Sequence, residues 1–186
     1  PQDRPGDFNQ ALMELGATVC LPNGAPRCGA CPLTAICLAN KTGRQSEFPQ
    51  KAEKKARRVE ARTVFVLFDR AGRVAVQKRP KTGLLAGLWE LPGEDGALSL
   101  REAENALRAQ GLQVQAIQSA GKAKHVFTHV EWKMEGVAAL VEGTLGTARF
   151  VTPKELEEEY CLPSAFAAYV QKLPALWAAI SAGPEA

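Results

Sequence analysis

The segment CLPNGAPRCGACPLTAIC, residues 20–37, holds four of the five cysteines of this 186-residue chain, Cys20, Cys28, Cys31 and Cys37. Their spacing is C-x7-C-x2-C-x5-C, and the prolines and glycines between them favour turns that bring the chain back to one point. Four thiolates that converge on one point suit an iron–sulfur cluster or a structural zinc ion. The segment therefore predicts a bound metal centre.

The type of metal centre stays open on ligand chemistry alone, because a cluster and a zinc ion both accept four sulfur ligands. Structural zinc sites usually pair two C-x2-C knuckles, whereas this segment has a single one, Cys28–Cys31. Disulfides are the least favoured option, because no secretory signal is recognisable and Cys161 would be left over. We interpret Cys161 as a bystander.

The residues before the cysteines predict one amphipathic helix. Pro1–Gly6 is expected to be unstructured, and Asp7 is a plausible N-cap. The apolar residues that recur at helical spacing after it are Phe8, Ala11, Leu12 and Leu15. One helix and a metal loop cannot form a core alone, so we expect this opening to be the end of a larger domain.

The charge distribution places a basic excess around the cysteines and the polar segment 41–62. Residues 1–62 carry ten Lys/Arg against six Asp/Glu, residues 63–148 ten against nine, and residues 149–186 three against five. We interpret 41–62 as an interdomain linker that contacts a polyanion such as a DNA backbone, although a merely solvated linker is an equal alternative. The candidate DNA-binding residues are Arg27, Lys54, Lys55, Arg57 and Arg58.

A second domain is expected from Thr63 onward. Predicted strands are Thr63–Phe68, Arg73–Arg79, Val114–Ile117 and Val126–Val141, and Gly83–Pro92 is a loop anchored by Trp89. Capping boxes at Ser99–Glu102 and Thr152–Glu155 open two helices, and a last helical region spans Ser164–Ile180 with an interruption at Pro174. Strands, helix, strands and helices in this order predict an α+β fold. No apolar run is long enough to span a membrane.

The sequence GLWELPG at residues 87–93, placed before a helix, resembles a Nudix-type domain. An active Nudix box has glutamates on one helix face that hold magnesium for pyrophosphate hydrolysis. Aligned on Gly111 and Leu112, the two metal positions of this chain fall on Arg108 and Ala109. Arginine and alanine cannot bind a cation, so pyrophosphatase activity is not expected. A hydrolase that uses unusual acidic ligands remains the alternative.

The cysteine spacing resembles the iron–sulfur loop of the helix-hairpin-helix DNA glycosylases, endonuclease III and the adenine DNA glycosylases, whose pattern is C-x6-C-x2-C-x5-C. This chain carries one extra residue, inside Leu21–Arg27. The preceding segment Asp7–Cys20 and the CPL at Cys31–Leu33 also fit that family. A Nudix-like domain behind a four-cysteine loop points to the adenine DNA glycosylases, because endonuclease III lacks such a domain.

This resemblance implies a [4Fe–4S] cluster on the four cysteines and a C-terminal domain that recognises 8-oxoguanine opposite the target adenine. The stretch His125-Val126-Phe127-Thr128-His129 matches the family signature H-x-F-[S/T]-H, which implies lesion recognition by His125, Phe127, Thr128 and His129. On the residues alone, Phe127 would be a strand core residue and His129 a surface imidazole.

The resemblance further implies that the intact protein acts in base-excision repair, where it removes adenine mispaired with 8-oxoguanine or guanine in double-stranded DNA. Residues 1–40 would end the glycosylase domain, 41–62 would be the linker and 63–182 the Nudix-like domain. The family's catalytic Glu and Asp lie upstream of the equivalent of Asp7, so no catalytic role is assigned and this piece is expected to be inactive alone. We expect a monomer in the bacterial cytoplasm, associated with DNA. The alternatives are a Nudix-type nucleotide pyrophosphohydrolase and a binding module without catalysis.

Overall fold

The computed structural model describes residues 2–50 and 56–182. The chain divides into two compact units, residues 1–55 and 56–186, which we call the N-terminal and the C-terminal unit. Among the described residues, no helix combines the length and the apolar character needed to cross a membrane. Lys54 and Lys55, two of the predicted DNA-binding residues, lie outside the described part of the chain.

The N-terminal unit consists of one long helix followed by short turns. Helix α1 spans Pro5–Thr18, helix α2 spans Leu38–Lys41, and 3-10 turns occupy Cys28–Ala30 and Gln45–Glu47. The prediction of an unstructured start with Asp7 as the N-cap is wrong, since α1 begins at Pro5 with Arg4 as its N-cap, three positions earlier than predicted. Proline suits the first helical turn because its fixed φ is already helical and its missing N–H has no partner there.

The C-terminal unit is built on one mixed sheet. Its strands are β1 Arg58–Phe68, β2 Val74–Lys78, β3 Trp89–Glu90, β4 Gly93–Asp95, β5 Gln113–Val126, β6 Val130–Glu142 and β7 Arg149–Val151. The main order is β3-β2-β1-β6-β5, with β4 on β1 and β7 on β2. Strands β1 and β6 run parallel to each other, and the remaining pairs are antiparallel.

Helices cover both faces of this sheet. Helix α3, Leu100–Ala109, packs Ala103 and Leu107 against one face, where Phe65 and Val137 are buried. Helices α4 Pro153–Glu158, α5 Ala167–Val170 and α6 Leu173–Ser181 follow in the chain, and side chains from them cover the other face. Because alternate residues of a strand point to opposite faces, β1 contributes to both cores. The α+β prediction is confirmed.

The two capping boxes read from the sequence are confirmed. The Ser99 and Thr152 side chains accept hydrogen bonds from the backbone N–H groups of Glu102 and Glu155, whose carboxylates accept hydrogen bonds in return. These hydrogen bonds, from the backbone N–H first and then the hydroxyl, lower the pKa of both glutamates. The carboxylate of Glu102 therefore has a capping role at the start of α3.

The strand boundaries depart from the sequence predictions in three places. Strand β1 begins at Arg58 rather than Thr63, so residues 58–62 are strand and not linker, because they pair with β6 from Arg58–Val130 onward. Strand β5 extends to Val126, and the residues predicted as one strand over 126–141 are interrupted by a turn at 127–129. Strands β3, within the predicted loop Gly83–Pro92, β4 and β7 were missed because segments of two or three residues have no detectable period.

Gly136 is required by the packing of β6 against Tyr169. A Cβ at this position would lie 2.2 Å from Tyr169 Cε1 and 2.8 Å from the carbonyl oxygen of Gly121. Tyr169 is fully buried, its hydroxyl donates to Gly121 O at 3.5 Å, and burial raises the pKa of its phenol. We expect Gly136→Ala to lower the free energy of unfolding by about 1–3 kcal/mol, as overpacking of a filled core does. The gain from strand propensity, about 0.5–1 kcal/mol, is smaller.

Urea unfolding of the chain measures this effect, and Tyr169→Leu supplies the control. The smaller side chain should remove the clash with the ring but not the contact with Gly121 O, so Gly136→Ala should cost less, though still something, in the Tyr169→Leu background than in the original chain. Equal stability of Gly136→Ala and the unchanged chain would show that the aromatic ring can move aside.

Candidate functional site

The turn between β5 and β6 lies beside the first residue of β1. The turn, Phe127–His129, is closed by a hydrogen bond from the Phe127 N–H to Val130 O at 2.8 Å. The Arg58 N–H donates to the carbonyl oxygen of His129 at 3.2 Å, and Arg58 pairs in register with Val130. The structure therefore brings the predicted lesion-recognition residues and the predicted basic residues Arg57 and Arg58 to one end of the sheet.

The side chains of this turn differ in what they can offer to a ligand. Thr128 and His129 are exposed, as are Arg57 and Arg58. Phe127 is half-buried and packs edge-on against His125, with ring centroids 4.6 Å apart, and against Trp132 at 4.9 Å. The ring of Phe127 thus anchors the turn to the core, and the groups free to contact a base or a phosphate are those of Thr128 and His129.

Trp132 lies under this turn and is 1% exposed. Its indole N–H donates to the carboxylate of Glu60 at 2.9 Å. The guanidinium carbons of Arg62 and Arg79 lie 4.5 Å and 5.4 Å from the centroid of its ring, which places two cations against the indole. The position of Phe127 therefore depends on a tryptophan that is itself held by charged side chains.

A buried charge network connects these residues, and sequence reasoning missed it. Glu90 is 4% exposed, accepts hydrogen bonds from Arg79 and from Gln77 Nε2, the latter at 3.2 Å, and lies 4.0 Å from Arg62. Arg79 also donates from Nε to Leu84 O at 2.8 Å. These residues come from different strands and the loop after β2, and no spacing along the chain predicts that they meet.

The four cysteines of the N-terminal unit line one cavity of about 60 Å³. Cys20 is exposed, and Cys28, Cys31 and Cys37 are half-buried. Backbone hydrogen bonds shape the loop, from the Arg27 N–H to Val19 O at 2.9 Å and from the Cys31 N–H to Cys28 O at 3.2 Å. Arg27, a predicted DNA-binding residue of the N-terminal unit, is exposed at the rim of the same cavity.

The donor set of this cavity fits an iron–sulfur cluster in number and chemistry, since such clusters take four cysteine thiolates. Within residues 2–50 and 56–182, however, no group of three or more His, Cys, Asp or Glu is placed to hold a metal ion. Cys161 is in the C-terminal unit, where its Sγ donates to Glu157 O at 3.4 Å. It does not line the cavity that the other cysteines share.

Helix α3, which corresponds to a Nudix box, carries its acidic residues near its start and not at the metal-binding positions in its last turn. Glu102 is used by the cap, and Glu104 accepts a hydrogen bond from Arg108 Nη2 at 2.7 Å. The expected metal positions, Arg108 and Ala109, occupy the last turn of α3. An arginine that is paired with the nearest glutamate opposes cation binding on this face of the helix.

Comparison with known proteins gives a domain match and a set of relatives. The NUDIX domain matches residues 63–172. Adenine DNA glycosylase of Arabidopsis thaliana is 34% identical over 175 residues, which cover 77% of this chain and 27% of the relative. The enzymes of the same name from Rattus norvegicus and Homo sapiens are each 30% identical, covering 82% and 75% of this chain and 40% and 35% of the relatives. The chain thus spans between about a quarter and two fifths of their length.

Proposed function

The chain belongs to the NUDIX domain family through residues 63–172 and is homologous to adenine DNA glycosylases over most of its length, and from this premise we propose that it is the C-terminal part of such a glycosylase. The intact protein would hydrolyse the N-glycosidic bond of an adenine flipped out of duplex DNA. This part of it would bind DNA and recognise the 8-oxoguanine, or the guanine, opposite that adenine.

The observation that carries the recognition role is the position of the β5–β6 turn beside the start of β1. Base contacts give specificity and phosphate contacts give position, and a recognition site needs both within reach of one duplex. Thr128 and His129 offer hydrogen-bond donors and acceptors to a base edge, while Arg57 and Arg58 offer cations to the adjoining phosphates. Phe127 supports the turn from below through Trp132.

For the N-terminal unit we assign Cys20, Cys28, Cys31 and Cys37 as the ligands of a [4Fe–4S] cluster. When bound, the cluster would supply a cross-link between the ends of the loop, because hydrolysis of a glycosidic bond transfers no electrons. The loop so held would keep Arg27 at the rim, where its guanidinium can contact a phosphate. The shared cavity of the four thiols supports this assignment.

The alternative function, a nucleotide pyrophosphohydrolase, has less support. A NUDIX domain is a fold that many functions share, so the domain match does not carry the activity with it. The pairing of Glu104 with Arg108 and the capping role of Glu102 leave the acidic residues of α3 already engaged.

The recognition role is tested in the full-length glycosylase that contains this chain, with adenine opposite 8-oxoguanine compared with adenine opposite guanine. We expect Thr128→Ala with His129→Ala to reduce the preference for the 8-oxoguanine pair by about 1–3 kcal/mol per lost contact, measured as the ratio of single-turnover excision rates. The side chains are exposed, so their removal should leave the fold intact.

The matched control is Arg57→Ala with Arg58→Ala. Loss of these cations should weaken both duplexes about equally and flatten the salt dependence of binding, because phosphate contacts do not depend on sequence. Full retention of the 8-oxoguanine preference in the Thr128/His129 variant would refute the assignment of the turn.

A further inference from the structure

One half of a sheet face in the C-terminal unit is left open. Helix α3 covers the face of the sheet that carries Phe65 and Leu67. Strands β1, β5 and β6 run on toward the β5–β6 turn, and there the same face of the sheet bounds an open groove of about 570 Å³. We call this the lysine face, because the exposed charged side chains that line the groove are Lys122, Lys124 and Lys133.

The lysine face contains a like-charge pair. Lys124 of β5 lies directly opposite Lys133 of β6 in the antiparallel register. Like charges directly opposite each other on neighbouring strands destabilise a sheet. Lys122 is compensated by Glu135, at 2.7 Å, whereas within the described part of the chain neither Lys124 nor Lys133 has a carboxylate within 4.0 Å.

Overall composition does not account for this like-charge pair. Residues 63–186 carry thirteen Lys/Arg and fourteen Asp/Glu, so Lys124 and Lys133 lie opposite each other within a domain that is slightly acidic. The same face also carries three half-buried glutamates, Glu131 and Glu135 of β6 and Glu94 of β4, which pairs with Thr63 of β1. Two valines near the turn, Val59 and Val126, are 53% and 44% exposed. The positive charge is local: Lys124 and Lys133 have no ion-pair partner among the described residues, and two such neighbouring cations are complementary to the phosphates of a polyanion.

We propose that the lysine face binds the phosphate backbone of duplex DNA as a second contact surface, on the duplex that the β5–β6 turn engages. The proposal rests on the function proposed above and extends its contact area along the sheet. With about 3.3 Å per residue, Lys124 lies about 13 Å from Thr128 along the hairpin. That distance corresponds to about four base pairs at ~3.4 Å each, so one duplex can reach both surfaces.

The experiment measures binding of the complete chain to a duplex with an adenine:8-oxoguanine pair and to a fully matched duplex, over a series of salt concentrations. For Lys124→Ala with Lys133→Ala we expect about tenfold weaker binding to both duplexes at ~0.1 M salt. The slope of log affinity against log salt should fall by about 2, because two phosphate contacts are lost. The preference between the two duplexes should not change.

The control variant is Lys81→Ala with Lys154→Ala, which removes the same net charge from exposed positions outside the lysine face. It should keep the affinity and the salt slope of the unchanged chain. The thermal midpoint provides a second readout, since removing one member of the like-charge pair, as in Lys133→Ala, should leave it unchanged or raise it.

The outcomes separate this proposal from the proposed function. If the unchanged chain prefers the 8-oxoguanine duplex but the Lys124/Lys133 variant equals it in affinity and slope, the lysine face is not a DNA contact and this proposal fails while the proposed function stands. If the unchanged chain shows no salt-dependent duplex binding, both proposals fail. Equal losses in the Lys124/Lys133 and Lys81/Lys154 variants would also overturn the lysine face, because net charge alone would then explain the effect.

Discussion

Replacing Glu90 by alanine is expected to lower the free energy of unfolding of the C-terminal unit by about 3–5 kcal/mol. Glu90 is 4% exposed and bonded to Arg79, and the side chains of Arg79 and Arg62 are only 12% and 13% exposed. Removing the carboxylate leaves Arg79 with little water and without its ion-pair partner, and leaves Arg62 with only the exposed Asp95 at 3.9 Å. The cost of an uncompensated buried charge is what makes the effect large.

The matched control is Glu104→Ala, which also removes a glutamate from an ion pair with an arginine. That pair, with Arg108, lies on the surface of α3, so its loss should cost about 0.3–0.5 kcal/mol. Urea unfolding compares the two variants, and adding Arg79→Ala to Glu90→Ala should recover part of the loss, because one stranded cation is removed. Similar small effects of Glu90→Ala and Glu104→Ala would contradict the role of the buried network.

Substitution of Glu90 should also affect the β5–β6 turn, because Trp132 contacts both the arginines and Phe127. Arg62 and Arg79 lie against its indole ring, and the ring in turn supports Phe127. Disturbing Glu90 should therefore change the environment of the β5–β6 turn without touching Thr128 or His129.

The second large effect concerns the cysteines. We expect Cys28→Ser to reduce the iron content of the chain from about four atoms to background, with loss of the visible absorbance of thiolate-to-iron charge transfer. Cys28 lines the shared cavity, and its carbonyl oxygen accepts hydrogen bonds from Cys31 N–H and Thr34 Oγ1, so its substitution removes a ligand at the centre of the loop.

Cys161→Ser is the control for this experiment, because Cys161 is exposed and lies outside the cavity. It should keep the iron content and the absorbance of the unchanged chain. A colourless protein with one zinc ion per chain would contradict the cluster, and it would leave the four cysteines as ligands of a different metal. Iron loss in both variants would contradict the assignment of Cys161 as a bystander.

Local sequence features predicted the starts of α3 and α4 and the interior of β1. The capping boxes at Ser99 and Thr152 were found because their hydrogen bonds join residues three positions apart. The interior of β1 was found because its β-branched and aromatic residues form a continuous buried run. The helix α1 was found from its apolar period, although its start was misplaced by three residues.

The errors arose where pairing partners, and not local composition, decide the structure. Residues 58–62 look like a polar linker, yet they are strand because β6 provides the hydrogen bonds along their length. The polar stretch GKAKHV at 121–126 continues β5 for the same reason. Short strands such as β4 exist only through their pairing with β1, so their own residues carry too little pattern to be recognised.

The sequence by itself determined the fold class, the candidate metal ligands and the resemblance to a glycosylase family, because these depend on residue types at fixed spacings along the chain. The tertiary structure alone decided that Phe127 packs edge-on against Trp132, and that Arg57 and Arg58 lie beside the β5–β6 turn. It also decided that Glu90 meets Arg62 and Arg79 in the core and that Lys124 faces Lys133. Each of these contacts joins residues on different strands, and such contacts are set by sheet register, which the chain acquires only when it folds.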